Sequence, residues 1–210
     1  MTIGLIMYFT HSAISYTTRR DEESGELSNR IARMEFDALA PRVQDVLRAR
    51  VDRLGYLGEF FKCVGVQPDV LAPFMEMTEA LKKALPDRLT ETGALTVAKL
   101  FDNRYELHQH ERLAKKLGFG EEWVAAVEQL SPQDAPCLSD AERAVQRFVV
   151  AIVERSGQGV SAEREALIDA IGPEQTIAVM FLVGRYITHA MIVNGLELAP
   201  PVPSIFEAGT

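Results

Sequence analysis

Cysteine is scarce in this chain. Only Cys63 and Cys137 occur in 210 residues, 74 positions apart. That spacing forms neither a zinc knuckle nor a Cys-x-x-Cys redox pair, so two reduced thiols are expected. A basic block is missing as well. The pair Arg19-Arg20 is followed at once by Asp21, Glu22 and Glu23, and the formal net charge is −8. Such a balance offers no footprint for nucleic acid or for an anionic membrane surface. No transmembrane segment is evident. The best stretch, 177–193, is cut by Arg185 and His189 and reads as a buried core helix. Residues Ile3 to Phe9 lack a basic flank and a small-residue cleavage site, so no signal peptide is expected and the expected location is cytoplasmic. Strand and hairpin punctuation is also rare.

What is present suits one helical domain. Apolar residues make up 47% of the chain and charged residues 25%, enough for a full core. Pro41 can open a helix at its first position, and Val43, Val46, Leu47, Val51 and Leu54 recur at three- to four-residue steps before Gly55. A short helical piece is expected through Phe60 and Phe61. Asp69 is placed to cap a helix running to Leu85, which Pro86 stops. Thr90 is placed to cap a helix bearing Leu95, Ala98 and Phe101. The next should open near Asp102 or Asn103 and close at Gly118. Another covers Glu121 to Leu130. Ser139 and Glu142 form a capping box, Ser161 is a candidate cap, and Pro173 opens the last long helix. The reading is an all-α bundle of about eight helices over residues 36–198. An N-terminal extension (1–35) precedes it, and a Pro-rich tail (199–210), extended over the surface or a neighbour, follows.

The stretch 89–117 carries the chemistry. On a helix, Asn103, Glu106 and His110 fall on one stripe, and Glu106 and His110 are four apart. A carboxylate beside an imidazole orients the ring, fixes its tautomer and raises its basicity, which a general base near neutral pH needs. His108 reads as a solvated surface residue. Glu91 lies twelve residues before Asn103. It reaches the stripe only through a sharp connection or a perpendicular crossing of the two helices.

The spacing of Glu91, Asn103, Glu106 and His110, with Tyr105, Leu113 and Ala114 around it, resembles the carboxymuconolactone decarboxylase/AhpD-like family. The run 179–184, with Tyr186 and 191–194, resembles that family's last helix. The resemblance implies an AhpD-like multi-helix bundle and assembly as a dimer, trimer or hexamer. Redox members carry two thiols where this chain has Asn103 and Glu106, so a dithiol peroxidase cycle does not transfer. What remains is an acid/base set that requires no cofactor and no metal. On this reading His110 is the general acid/base and Glu91 polarises it. Glu106 is a second proton donor or acceptor, and Asn103 donates a hydrogen bond to a carbonyl or enolate oxygen. Tyr105 and Arg185 are candidate substrate-binding residues. Tyr105 fits packing as well. Arg185 fits either a structural ion pair or an anchor for a substrate carboxylate, and His189 shares that ambiguity. The expected activity is decarboxylation, lactone processing or isomerisation of a small organic acid. Two rival readings stand beside it. One is a divalent-metal-assisted site on Glu91, Glu106 and His110. The other is a non-catalytic ligand-binding or assembly module.

Overall fold

The computed structural model describes residues 30–207; the extension expected over 1–35 lies almost wholly outside the described residues. Between Ala32 and the tail there are nine α-helices and no strand among the described residues, as the all-α reading requires. Eight of the helices have eight residues or more; the ninth is the short piece around Phe60 and Phe61. In chain order they are α1 (Pro41–Leu54), α2 (Glu59–Val64), α3 (Pro68–Ala84), α4 (Asp87–Leu100) and α5 (Arg104–Lys116). Then come α6 (Glu121–Glu128), α7 (Asp140–Glu154), α8 (Ser161–Ile171) and α9 (Pro173–Gly195).

Several caps differ from expectation. Helix α3 starts at Pro68 and α4 at Asp87, so Asp69 and Thr90 lie inside helices rather than before them. Proline at the first helical position, or just before it, sets the entry angle without needing a side-chain cap. Ser161 is likewise the first residue of α8, behind Val160. The Ser139 capping box forms in full, with the Glu142 carboxylate accepting the Ser139 amide at 2.6 Å. That carboxylate also accepts from Arg88 at 2.6 Å and from the Trp123 indole at 2.9 Å, pinning α7 to α4 and α6.

Helix α4 is the axis of the bundle, buried continuously from Leu89 to Ala98. Helices α5, α7 and α9 pack against it. Gly93 faces α9 across this packing. A Cβ there would lie 2.7 Å from Leu182 Cδ2 of α9, so a larger residue would require the Leu182 side chain to shift. Helix α9 is long and apolar enough, by length and composition, to cross a membrane. In this fold one face of it, including Arg185, Tyr186 and His189, is buried in the bundle.

The tail lies against α5 of its own chain. The Glu111 carboxylate accepts from Ser204 Oγ at 2.6 Å and from the Ile205 amide at 2.8 Å. Arg112 donates to the Pro203 carbonyl at 2.9 Å. The tail also overturns the surface assignment of His108, which is buried with Nδ1 3.0 Å from the Val202 carbonyl. A helix pattern does not reveal that a distant segment will cover its outer face.

Candidate active site

The site is built where α4, α5 and α9 meet. The link Phe101–Asn103 is tight, with Asp102 at φ 48, and α5 runs back along α4. Residues on either side of the turn therefore come together. Glu91 Oε2 sits 2.7 Å from His110 Nδ1, so the sharp connection, one of the two routes open from sequence, is the one used. One helical turn along α5, Glu106 Oε2 lies 3.1 Å from His110 Nε2. The imidazole thus bridges two carboxylates.

Helix α9 supplies the other wall. Tyr186 Oη is 3.1 Å from His110 Nε2. Arg185 directs Nη1 to Glu106 Oε2 at 3.5 Å and Nε to Thr78 Oγ1 at 3.3 Å, and its guanidinium lies over the Phe74 and Tyr186 rings. His189 Nε2 is 3.2 Å from Glu106 Oε1, and its ring stacks on Phe60 at 4.1 Å. Its Nδ1 has no partner among the described residues.

Burial and charge fix the protonation states. Burial alone would lower the His110 pKa, but Glu91 and Glu106 overcome it and raise the value to about 9. His110 is therefore an imidazolium at neutral pH, donating from both nitrogens. Burial also works against an ionised Glu106. The charges of His110 and Arg185, with the Nε2–H that His189 donates, outweigh it and hold the carboxyl well below its usual range. His189 responds the other way: burial drives its pKa down to about 3, against the pull of Glu106 and with the help of Arg185 and His110. It is a neutral ring that donates Nε2–H to Glu106. Burial raises the Tyr186 phenol above its ordinary value, so it stays protonated.

These groups floor a cleft of about 930 Å³. Glu91, Glu106, His110, Arg185 and Tyr186 all line it. Asn103 does not. It is the N-cap of α5, fully buried, with Oδ1 accepting the Glu106 amide at 3.2 Å. A capping residue has non-helical dihedrals, so the stripe expected from helical spacing begins at Glu106. Tyr105 is buried with its hydroxyl accepting the Phe60 amide at 3.3 Å, and it lines a water-sized hollow beside Arg50 rather than the cleft itself. Tyr186 was not singled out for the site from sequence. Nothing local marks it, because its partner His110 is 76 residues away. Cys63 and Cys137 are free thiols, and neither lines the cleft. Among the described residues no group of three or more His, Cys, Asp or Glu is arranged to hold a metal ion.

No family model matches the chain, and neither does any curated protein. Solved structures do. A cysteine-to-alanine variant of the debrominase Bmp8, in complex with 2,3,4-tribromopyrrole, superposes with a TM-score of 0.69 at 16% identity. The match covers 80% of this chain and 89% of that one. An uncharacterized peroxidase-related protein from Ralstonia eutropha, described as an alkylhydroperoxidase AhpD core, gives 0.69 at 17% identity over 81% and 92%. A protein of unknown function from Agrobacterium tumefaciens, suggested to be the antioxidant defence protein AhpD, gives 0.61 at 18% identity over 67% and 96%. Likeness at such identities is likeness of fold: the chain has the all-helical AhpD-like fold.

Proposed function

We propose that this protein is a cofactor-independent acid/base enzyme acting on a small organic acid or lactone, of the decarboxylase, lactone-processing or isomerase type. The observation that carries the reading is the Glu91–His110–Glu106 bridge, set in the wall of a cleft large enough for such a substrate. His110 is the proton donor in its resting state, and Glu91 holds the ring by Nδ1. Glu106, anchored by Arg185 and His189, keeps the imidazolium charged and accepts its Nε2–H hydrogen bond. Tyr186 stands at the same nitrogen, where its hydroxyl can pass a proton to or from the substrate or steady a developing oxyanion. Neither thiol is at hand for a dithiol cycle, so peroxidase activity is not part of the proposal.

Assembly into homo-oligomers belongs to the same proposal. It is supported by the exposed apolar side chains Ile177, Phe181 and Met191 along α9.

The test is proton exchange and turnover in D2O. The purified protein is incubated with a panel of small carboxylic acids and lactones and followed by NMR. Deuterium entry at carbon, or loss of CO2, is expected for at least one compound, and His110→Gln should abolish it while leaving the helical circular-dichroism signal intact. Activity retained by His110→Gln would remove His110 from the chemistry. Thiol-dependent consumption of peroxide would overturn the reading.

A further inference from the structure

Four arginines line the cleft: Arg50, Arg53, Arg112 and Arg185. Three of them are accounted for. Arg185 is committed to Glu106 and Thr78. Arg112 is committed to the Pro203 carbonyl. Arg53 is exposed to solvent, where a lone cation costs nothing. Arg50 is different. It projects from the third turn of α1 and is partly buried, with its guanidinium 5.4 Å from the centre of the Phe61 ring. Among the described residues it has neither a hydrogen-bond acceptor nor a carboxylate within ion-pair distance. Burial presses its pKa down, with the more distant Glu106 pulling the other way.

The charge balance of the cleft floor leaves Arg50 as its surplus. Glu91 and Glu106 are matched by His110 and Arg185, and His189 is neutral. The inner groups therefore sum to zero without Arg50, which adds one unpaired positive charge. A desolvated cation without a counter-ion is costly unless a ligand supplies the anion.

We propose that Arg50 is the anion anchor of the cleft and holds a carboxylate of the substrate by its planar fork. The inference rests on the reading of the cleft as a substrate site and specifies the substrate class: a small molecule with an anionic group. It also specifies which group. In a decarboxylation the departing carboxylate loses its charge on the way to CO2, so an arginine paired with it would favour the ground state over the transition state. The carboxylate on Arg50 is therefore one that the reaction retains. The Phe61 face beside the guanidinium limits its orientations, and Arg50 itself lines the cleft.

Binding of an unreactive probe tests this without any turnover. Benzoate and its neutral analogue benzamide are titrated into the full chain by NMR, using wild type, Arg50→Gln, Arg50→Lys and Arg53→Gln. Benzoate should bind wild type, and Arg50→Gln should weaken it by about tenfold or more, the range of a charge-assisted hydrogen-bond pair. Arg50→Lys keeps the charge without the fork and should fall between the two. Arg53→Gln should change benzoate binding less than about twofold, and benzamide should respond to none of the Arg50 variants. Benzoate binding that is equal in wild type, Arg50→Gln and Arg50→Lys, or absent from wild type, overturns the assignment. Because the probe does not react, loss of the acid/base reading by the D2O experiment leaves this result standing by itself.

Discussion

The bridged imidazole makes stability fall as the solution turns alkaline. In the unfolded chain His110 titrates at its ordinary 6.5, and in the fold it titrates at about 9. Below 6.5 both states hold the proton, so the stabilisation is fully present. Between 6.5 and about 9 the unfolded chain releases its proton while the fold keeps it, and the contribution drains away with rising pH. Above about 9 it is gone. The interval corresponds to about 3 kcal/mol, lost at about 1.4 kcal/mol per pH unit. Solvent screening reduces this little, because the His110 side chain is 12% exposed. For a chain of this size the loss lowers Tm by roughly 6–12 °C. Urea denaturation of wild type and His110→Gln at half-unit steps from pH 6 to 10 measures it. The difference between the two isolates His110 from the lysines, tyrosines and Cys63, which titrate in both. Nitrogen-15 NMR of the ring reads its pKa directly. An imidazole that titrates near 6.5, or a wild-type stability curve parallel to that of His110→Gln across this window, would refute the bridge as described.

Two further perturbations follow from the same packing. Glu106→Gln removes the counter-ion of buried Arg185 and should cost about 3–5 kcal/mol by thermal or chemical denaturation; a loss below about 1 kcal/mol would show that Arg185 does not depend on it. Glu111→Ala releases two of the hydrogen bonds that hold the tail, leaving those of Arg112 and His108, so limited proteolysis should cut after residue 198 at least several-fold faster than in wild type, and unchanged protection would place the tail's anchorage elsewhere.

Part of the site is legible in the sequence because it is local. Glu106 and His110 are four apart on one helix, and helical spacing alone places them in contact. Arg185 announces itself as a charge inside an apolar helix. Glu91 is harder, since its meeting with His110 depends on the Asp102 turn, and an unfavourable positive φ at an aspartate leaves no distinct signal. Tyr186 and Arg50 were out of reach for a different reason. They join the site from α9, packed on α4, and from α1, packed on α3, and no periodicity within either helix says which of its residues will line the cleft. Asn103 sits at the cap and off the cleft, which helical spacing cannot foresee because it does not separate the last residue before a helix from the first residue within it. The fold class was easier than the site. Proline openings, glycine stops and the Ser139–Glu142 box recur along the whole chain, so errors of a few residues at each cap leave the number and order of helices unchanged.

The charges also bear on how a proton could cycle. In the proposed reaction His110 gives a proton to the substrate, and two carboxylates then face one guanidinium at the floor of the cleft. That arrangement carries one surplus negative charge in a buried place, which is the condition that raised the His110 pKa to about 9 in the first place. Recovery of the proton is therefore strongly favoured, whether from the substrate at another carbon or from solvent. Recovery of a proton from a second carbon of the same molecule is isomerisation; refilling from solvent after CO2 has left and its carbon has taken the proton is decarboxylation. The floor serves both equally. What separates them is how the substrate lies across the cleft, and that orientation is set by the anion anchor at Arg50, a residue of α1 rather than of the two helices that build the bridge.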